Sequence, residues 1–174
     1  MLWLDGRLLP AAEAGIATND RGFTLGDGIF ETIKARNGRP LRWARHLARL
    51  EAGAATLGIP VGWPGDTLRA AMEAVLAANG LDAAVLRLTL SRGPGERGLL
   101  PPDRATPTLL IAANPLPPPA KPARAVIAET VRRNAHSPLA RIKSLSYLDS
   151  VLARMEAARR GADDALLLNG AGRL

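Results

Sequence analysis

The sequence predicts an α/β (α+β) protein of two units, a complete small N-terminal one and a larger C-terminal one that is only begun. Three observations predict it. Short alternating or β-branched segments joined by tight-turn dipeptides are interleaved with segments of helical period. Five of the nine residues at 114–122 are proline, which makes a stiff, extended linker at 114–123 between units at 1–113 and 124–174. The strand, helix and strand signals after residue 124 cannot bury both faces of a sheet by themselves, so the second unit reads as unfinished.

The elements follow in order. Leu2-Trp3-Leu4 and Arg7-Leu8-Leu9 flank Asp5-Gly6, a small hairpin that opens a sheet. Residues 19–28 are dense in turn formers and read as a structured loop whose glycines allow close backbone approach. Ile29 to Arg36, Asn37-Gly38 and Arg39 to Arg42 make a second hairpin, since Asn-Gly suits its turn. From Trp43 the apolar period changes to that of a helix, with Leu47, Leu50, Ala54 and Leu57 inward and His46 and Arg49 one turn apart on a flank. A further helix starts with Asp66 as N-cap and ends at Asn79-Gly80. Residues 84–90 and 106–113 are strands, and the glycine-rich stretch at 91–102 is long enough to read as a functional loop. Beyond the linker, 124–131 is a strand and a polar loop leads to Lys143. Ser146 and Asp149 form a capping box for a helix with Leu148, Val151, Leu152 and Met155 inward. Ala165 to Leu168 is a buried strand whose Asn169-Gly170 turn begins a hairpin.

Composition narrows the chemistry. Without cysteine, and with His46 and His136 as the two histidines, neither disulfides nor sulfur-ligated metals are available and no metal site is expected. No apolar run reaches the ~20 residues of a membrane span, and residues 1–6 lack a signal-peptide pattern, so the expectation is a cytoplasmic protein without a membrane partner. The net charge of +7 raises a basic nucleic-acid-binding module as a remote alternative. Twenty of the 23 basic residues are arginines scattered among alanines, and aromatics make up 3%, which leaves few stacking platforms; no nucleic-acid partner is expected. Of the three lysines, Lys34 lies in a hairpin strand and Lys121 in the linker. Lys143 lies in an apolar context ahead of a helix N-terminus, where positive potential disfavours an ammonium. That makes Lys143 the outstanding candidate for a carbonyl nucleophile able to form Schiff bases, although on composition alone a surface lysine shielding the loop is the commoner reading.

Residues 20–32 (Asp20-Arg21-Gly22-Phe23-Thr24-Leu25-Gly26-Asp27-Gly28-Ile29-Phe30-Glu31-Thr32), His46-Leu47-Ala48-Arg49-Leu50, Ser91-Arg92-Gly93 with Arg97-Gly98, and Ile142-Lys143-Ser144-Leu145, in this order and spacing, resemble the class IV aminotransferases. That family of fold type IV pyridoxal-phosphate enzymes includes branched-chain and D-amino-acid aminotransferases and aminodeoxychorismate lyases. The resemblance covers essentially the whole chain. It implies pyridoxal 5'-phosphate held covalently by Lys143, which would also move the proton between the substrate's Cα and the cofactor's C4′. It implies Arg49 on the cofactor phosphate, Tyr147 on its phenolic oxygen, Phe30 walling the substrate pocket, and Arg97 on a substrate carboxylate across a homodimer interface. For Phe30 plain core packing is the alternative, for Tyr147 burial in the helix face, for Arg49 a solvated helix surface. Leu99 stands where the D-amino-acid subgroup has a histidine, and the Ser91-Arg92-Gly93 and Arg97-Gly98 pattern also resembles the lyases. The implied reaction moves an amino group between an amino acid and a 2-oxo acid; the alternative is aminodeoxychorismate lysis to 4-aminobenzoate and pyruvate. By register the acid expected on the pyridine nitrogen falls past Leu174, so these 174 residues are expected to be an incomplete chain, inactive alone.

Overall fold

The structure, a computed structural model, describes residues 1–119 and 121–174; Ala120, inside the predicted linker, lies outside the described residues. The chain divides into two compact units, Met1–Leu116 with Ile142–Leu145, and Pro117–Arg141 with Ser146–Leu174.

The first unit is a six-stranded antiparallel sheet in the order β2-β1-β6-β5-β3-β4. Its strands are β1 (Leu2–Leu4), β2 (Arg7–Leu9), β3 (Gly28–Arg36), β4 (Arg39–Pro40), β5 (Ala84–Ser91) and β6 (Thr108–Pro115). Both predicted hairpins form, and Asn37 and Gly38 take the positive φ values, 51° and 67°, that their two-residue turn requires. The centre of the sheet is the β3–β5–β6 run, in register from Gly28 opposite Ser91 to Ala84 opposite Pro115. Two helices, α2 (Trp43–Leu57) and α3 (Gly65–Ala78), supply the buried Leu50, Ala54, Leu68, Met72, Val75 and Leu76. These meet Ile29, Ile33, Leu86, Leu88, Leu90 and Ile111 from alternate strand positions in one core.

Several expectations are corrected. Residues 19–28 are not all loop: Arg21–Leu25 is a short helix, α1, because the Asp20 carboxylate caps it by accepting from the Gly22 N–H at 2.7 Å. The cap of α3 is Pro64, with Asp66 inside the first turn. Asn114 and Pro115, expected in the linker, end β6 opposite Val85 and Ala84. A proline is tolerated there because β1 pairs β6 only near Leu110 and Ile111, which leaves the Pro115 side of the strand without a ladder to break. Ile142–Leu145, expected in the second unit, belongs to the first. β4 covers only Ala35 and Arg36 of β3, and residues 142–145 pair with the uncovered edge at the other end of that strand.

In the second unit β7 (Ala125–Ile127), α4 (Leu148–Arg159) and β8 (Asp164–Leu166) form a parallel β-α-β arrangement. The strand predicted over 124–131 stops early because the Glu156 carboxylate takes the N–H groups of Glu129 and Thr130 out of the ladder. The strand expected to be buried over 165–168 runs instead from Asp164 to Leu166, with Leu166 exposed, and pairs with β7, while Asn169 closes a separate turn with Arg173 and Gly172. The N-cap of α4 is Tyr147, with no side-chain cap bond, in place of the Ser146 and Asp149 box. Its buried residues are Ala153, Glu156 and Ala157, and the expected inward row of Leu148, Val151, Leu152 and Met155 is exposed. Glu156 turns inward to serve its four donors, and small alanines beside it let the helix lie close.

Candidate active site

The site grows from the edge of β3 left bare by the short β4. Residues 142–145 dock there in antiparallel fashion: the Phe30 N–H donates to the Lys143 carbonyl and the Leu145 N–H to the Gly28 carbonyl, each at 2.9 Å. The docking needs glycine at position 28. A Cβ there would stand 2.5 Å from the Leu90 carbonyl oxygen and 2.7 Å from Leu145 Cδ1.

Alternation along β3 then sorts the chemistry onto two faces. On one face Phe30 is buried yet stands apart from the main hydrophobic cluster. Its ring instead carries two cations, with Lys143 Nζ at 4.0 Å and Arg87 Cζ at 3.5 Å from the ring centre. The Arg87 Nε–H also donates to Thr89 Oγ1 at 3.3 Å. Thr89 in turn lines an apolar pocket of about 230 Å³ with Ile16, Phe23, Leu110 and Leu145.

On the other face Glu31 is fully buried against α2. Arg49 grips it in bidentate fashion, Nε to Oε1 at 2.7 Å and Nη2 to Oε2 at 2.6 Å, and His46 Nδ1 lies 2.7 Å from Oε2. Burial pushes the Glu31 carboxyl up, but the bonds from Arg49 and then His46 outweigh it and hold the group below the usual carboxylate range. Arg49 is thus anchored by one edge of its fork while 53% of its side chain remains exposed.

The structure brings Lys143 and Phe30 into contact and sets Arg49 on the residue next to Phe30. Arg97 is exposed on the 92–107 loop and is not part of this cluster. Tyr147 belongs to the second unit. Sequence reasoning missed Glu31 and Arg87. Glu31 carried a signal, being an acid in phase with the inward Ile29, Ile33 and Ala35, and a buried acid requires a partner such as His46-x-x-Arg49. Arg87 carried only the outward phase of β5. Among the described residues no group of acids and histidines could hold a metal ion, and no helix is long and apolar enough to cross a membrane.

Residues 28–174 match the amino-transferase class IV family. The chain belongs to the class IV aminotransferases. It is 34% identical over 173 residues to a Methanocaldococcus jannaschii protein named "Putative branched-chain-amino-acid aminotransferase", covering 98% of this chain and 60% of that protein. Among solved structures, the 4-amino-4-deoxychorismate lyase of Pseudomonas aeruginosa is 37% identical with a TM-score of 0.81, covering 98% of this chain and 62% of that one. The branched-chain aminotransferase of the thermophilic archaeon Thermoproteus uzoniensis, solved with norvaline, is 28% identical with a TM-score of 0.88, covering 98% and 60%. The sheet and helices are thus those of a fold type IV enzyme, and the chain spans about 60% of the length of such relatives.

Lys143 and Arg49, on the two faces of β3, each have a chemistry that pyridoxal 5'-phosphate would use. Lys143 offers an amine for the aldehyde against an aromatic ring, and Arg49 offers a guanidinium already oriented by a buried carboxylate, which suits a phosphate dianion.

Proposed function

We propose that this chain belongs to a pyridoxal-phosphate-dependent aminotransferase that moves an amino group between an amino acid and a 2-oxo acid. The observation that carries the reading is the Lys143 ammonium group set over the Phe30 ring on an edge segment of a class IV aminotransferase sheet. Bound pyridoxal 5'-phosphate supplies an electron sink that stabilises negative charge at the substrate's Cα. Lys143 would hold the cofactor through Nζ, the atom that would also carry the proton to and from the substrate's Cα. Arg49 binds the phosphate, and Glu31 and His46 keep its guanidinium in place. Phe30 walls the pocket and sets the path of Nζ. Tyr147 would bond the cofactor's phenolic oxygen, and Arg97 would bind a substrate carboxylate in the partner of a homodimer. The protein works in the cytoplasm on small-molecule substrates, without nucleic acid or membrane.

A second reading, aminodeoxychorismate lyase, is favoured by the 37% identity to the Pseudomonas aeruginosa enzyme. Release of 4-aminobenzoate from aminodeoxychorismate, with no amino transfer to 2-oxo acids, would select it. For the cofactor, incubation with pyridoxal 5'-phosphate gives a visible band that borohydride bleaches, and peptide mapping finds the reduced adduct on Lys143. A Lys143→Ala protein that keeps the band and the labelling sinks the assignment.

A further inference from the structure

Just ahead of β3, between the C-terminus of α2 and the exposed 92–107 loop, runs a buried charge ladder outside the cluster described above. Asp27 Oδ2 accepts from Arg21 Nε at 2.8 Å and from Arg92 Nε at 2.7 Å, and its Oδ1 accepts from Arg92 Nη2 at 3.2 Å. Both arginines are buried. Arg92 spends its remaining donors on the C-terminus of α2, Nη2 to the Leu57 carbonyl at 2.6 Å and Nη1 to the Gly58 carbonyl at 3.1 Å. Arg21 spends its own on the loop, Nη1 to the Gly98 carbonyl at 3.0 Å and Nη2 to the Leu99 carbonyl at 2.8 Å. These carbonyls belong to the two residues that follow Arg97.

The loop is shaped around this arginine. A Cβ on Gly95 would lie 2.8 Å from Arg21 Cδ, so glycine lets the side chain pass beneath the chain. Gly95 is itself tied down, its N–H donating to the Asn19 carbonyl at 3.1 Å. The tip itself is exposed, Leu99 at 84% and Leu100 at 88%. Burial pushes the Asp27 carboxyl up, and the bonds from Arg92 and Arg21 more than reverse it, so the ladder stays charged and ordered at neutral pH.

We propose that Arg21 is a latch: its guanidinium holds the 95–99 loop by two adjacent carbonyls, couples that loop through Asp27 and Arg92 to the end of the helix carrying Arg49, and so acts as a positioning residue for Arg97. The order of the loop follows from the hydrogen bonds alone. The use of Arg97 on a substrate carboxylate rests on the reading under Proposed function.

Arg21→Gln is the decisive variant. It leaves Asp27 and Arg92 as a matched pair, whereas Asp27→Asn would strand two buried cations. The readout is the rate of tryptic cleavage after Arg97, set against cleavage at other sites and the melting temperature. Arg21→Gln is expected to raise that rate about tenfold or more, and Arg21→Lys, which keeps a cation but not the fork, to restore only part of the protection. In turnover assays Arg21→Gln is expected to raise KM for the amino acid about tenfold with kcat within about twofold. A folded Arg21→Gln protein cleaved at the wild-type rate overturns the latch. If Arg21→Gln does not fold, Gly95→Ala, which displaces the guanidinium without removing it, is expected to give the same loosening, and an unchanged rate there overturns the proposal equally. Loosening with unchanged KM overturns the positioning role. Turnover is measured in a full-length version; absence of turnover there counts against the proposed function, and the latch is then judged on cleavage alone.

Discussion

Replacing Glu31 by glutamine tests the anchor of the proposed phosphate arginine. The carboxylate is fully buried and receives two bonds from Arg49 and one from His46. Hydrogen bonds to a charged group contribute about 1.5–3 kcal/mol each. Arg49 is half exposed and His46 partly so, and both regain water when the charge goes, which discounts their share. Glutamine keeps the size and one acceptor oxygen. The net loss is about 2 kcal/mol, or a fall of about 4–8 °C in Tm for a chain of this length. Because the native carboxyl is held below the usual range, its contribution is complete above the unfolded carboxylate pKa and fades as pH falls through the lower folded one. Thermal unfolding followed by circular dichroism should therefore show wild type and Glu31→Gln well separated at pH 7 and converging as pH falls below the usual carboxylate range. A variant that melts with wild type at pH 7, or a gap that persists unchanged in acid, refutes the reasoning.

Two other expectations follow from close contacts. Gly28→Ala drives a Cβ into the Leu90 carbonyl and Leu145, so it should cost about 1–3 kcal/mol and undock residues 142–145, seen as lowered Tm and lost borohydride labelling of Lys143; unchanged labelling would show that the docked segment is not what places the lysine. In the second unit the Glu156 carboxyl is held down to about 2, chiefly by the Thr130 hydroxyl and the Glu129 and Thr130 N–H groups. Its stabilisation is present above the usual carboxylate range and is lost as pH falls toward about 2. Glu156→Gln should remove hydrogen-exchange protection at residues 129–130 near neutral pH, and protection equal to wild type would contradict the assignment.

Local pattern determined much of this protein. The Asp5-Gly6 and Asn37-Gly38 turns, the helical period after Trp43 and the β5 alternation each depend on neighbours within one turn or one strand, and each formed where the pattern placed it. The motifs around Phe30, Arg49 and Lys143 pointed to the family for the same reason, since their spacing is written in the chain. Tertiary structure decided the rest, wherever a group's partner lies far along the sequence. No local signal told residues 142–145 that β4 would leave the start of β3 uncovered, nor that Glu156 would end β7 from 27 residues away and turn α4 onto its alanine face. The same holds for Arg21, whose place in a turn-rich motif gave no hint of the carbonyls 77 and 78 residues on that it holds. Buried charge requires partners, but only the folded chain chooses them.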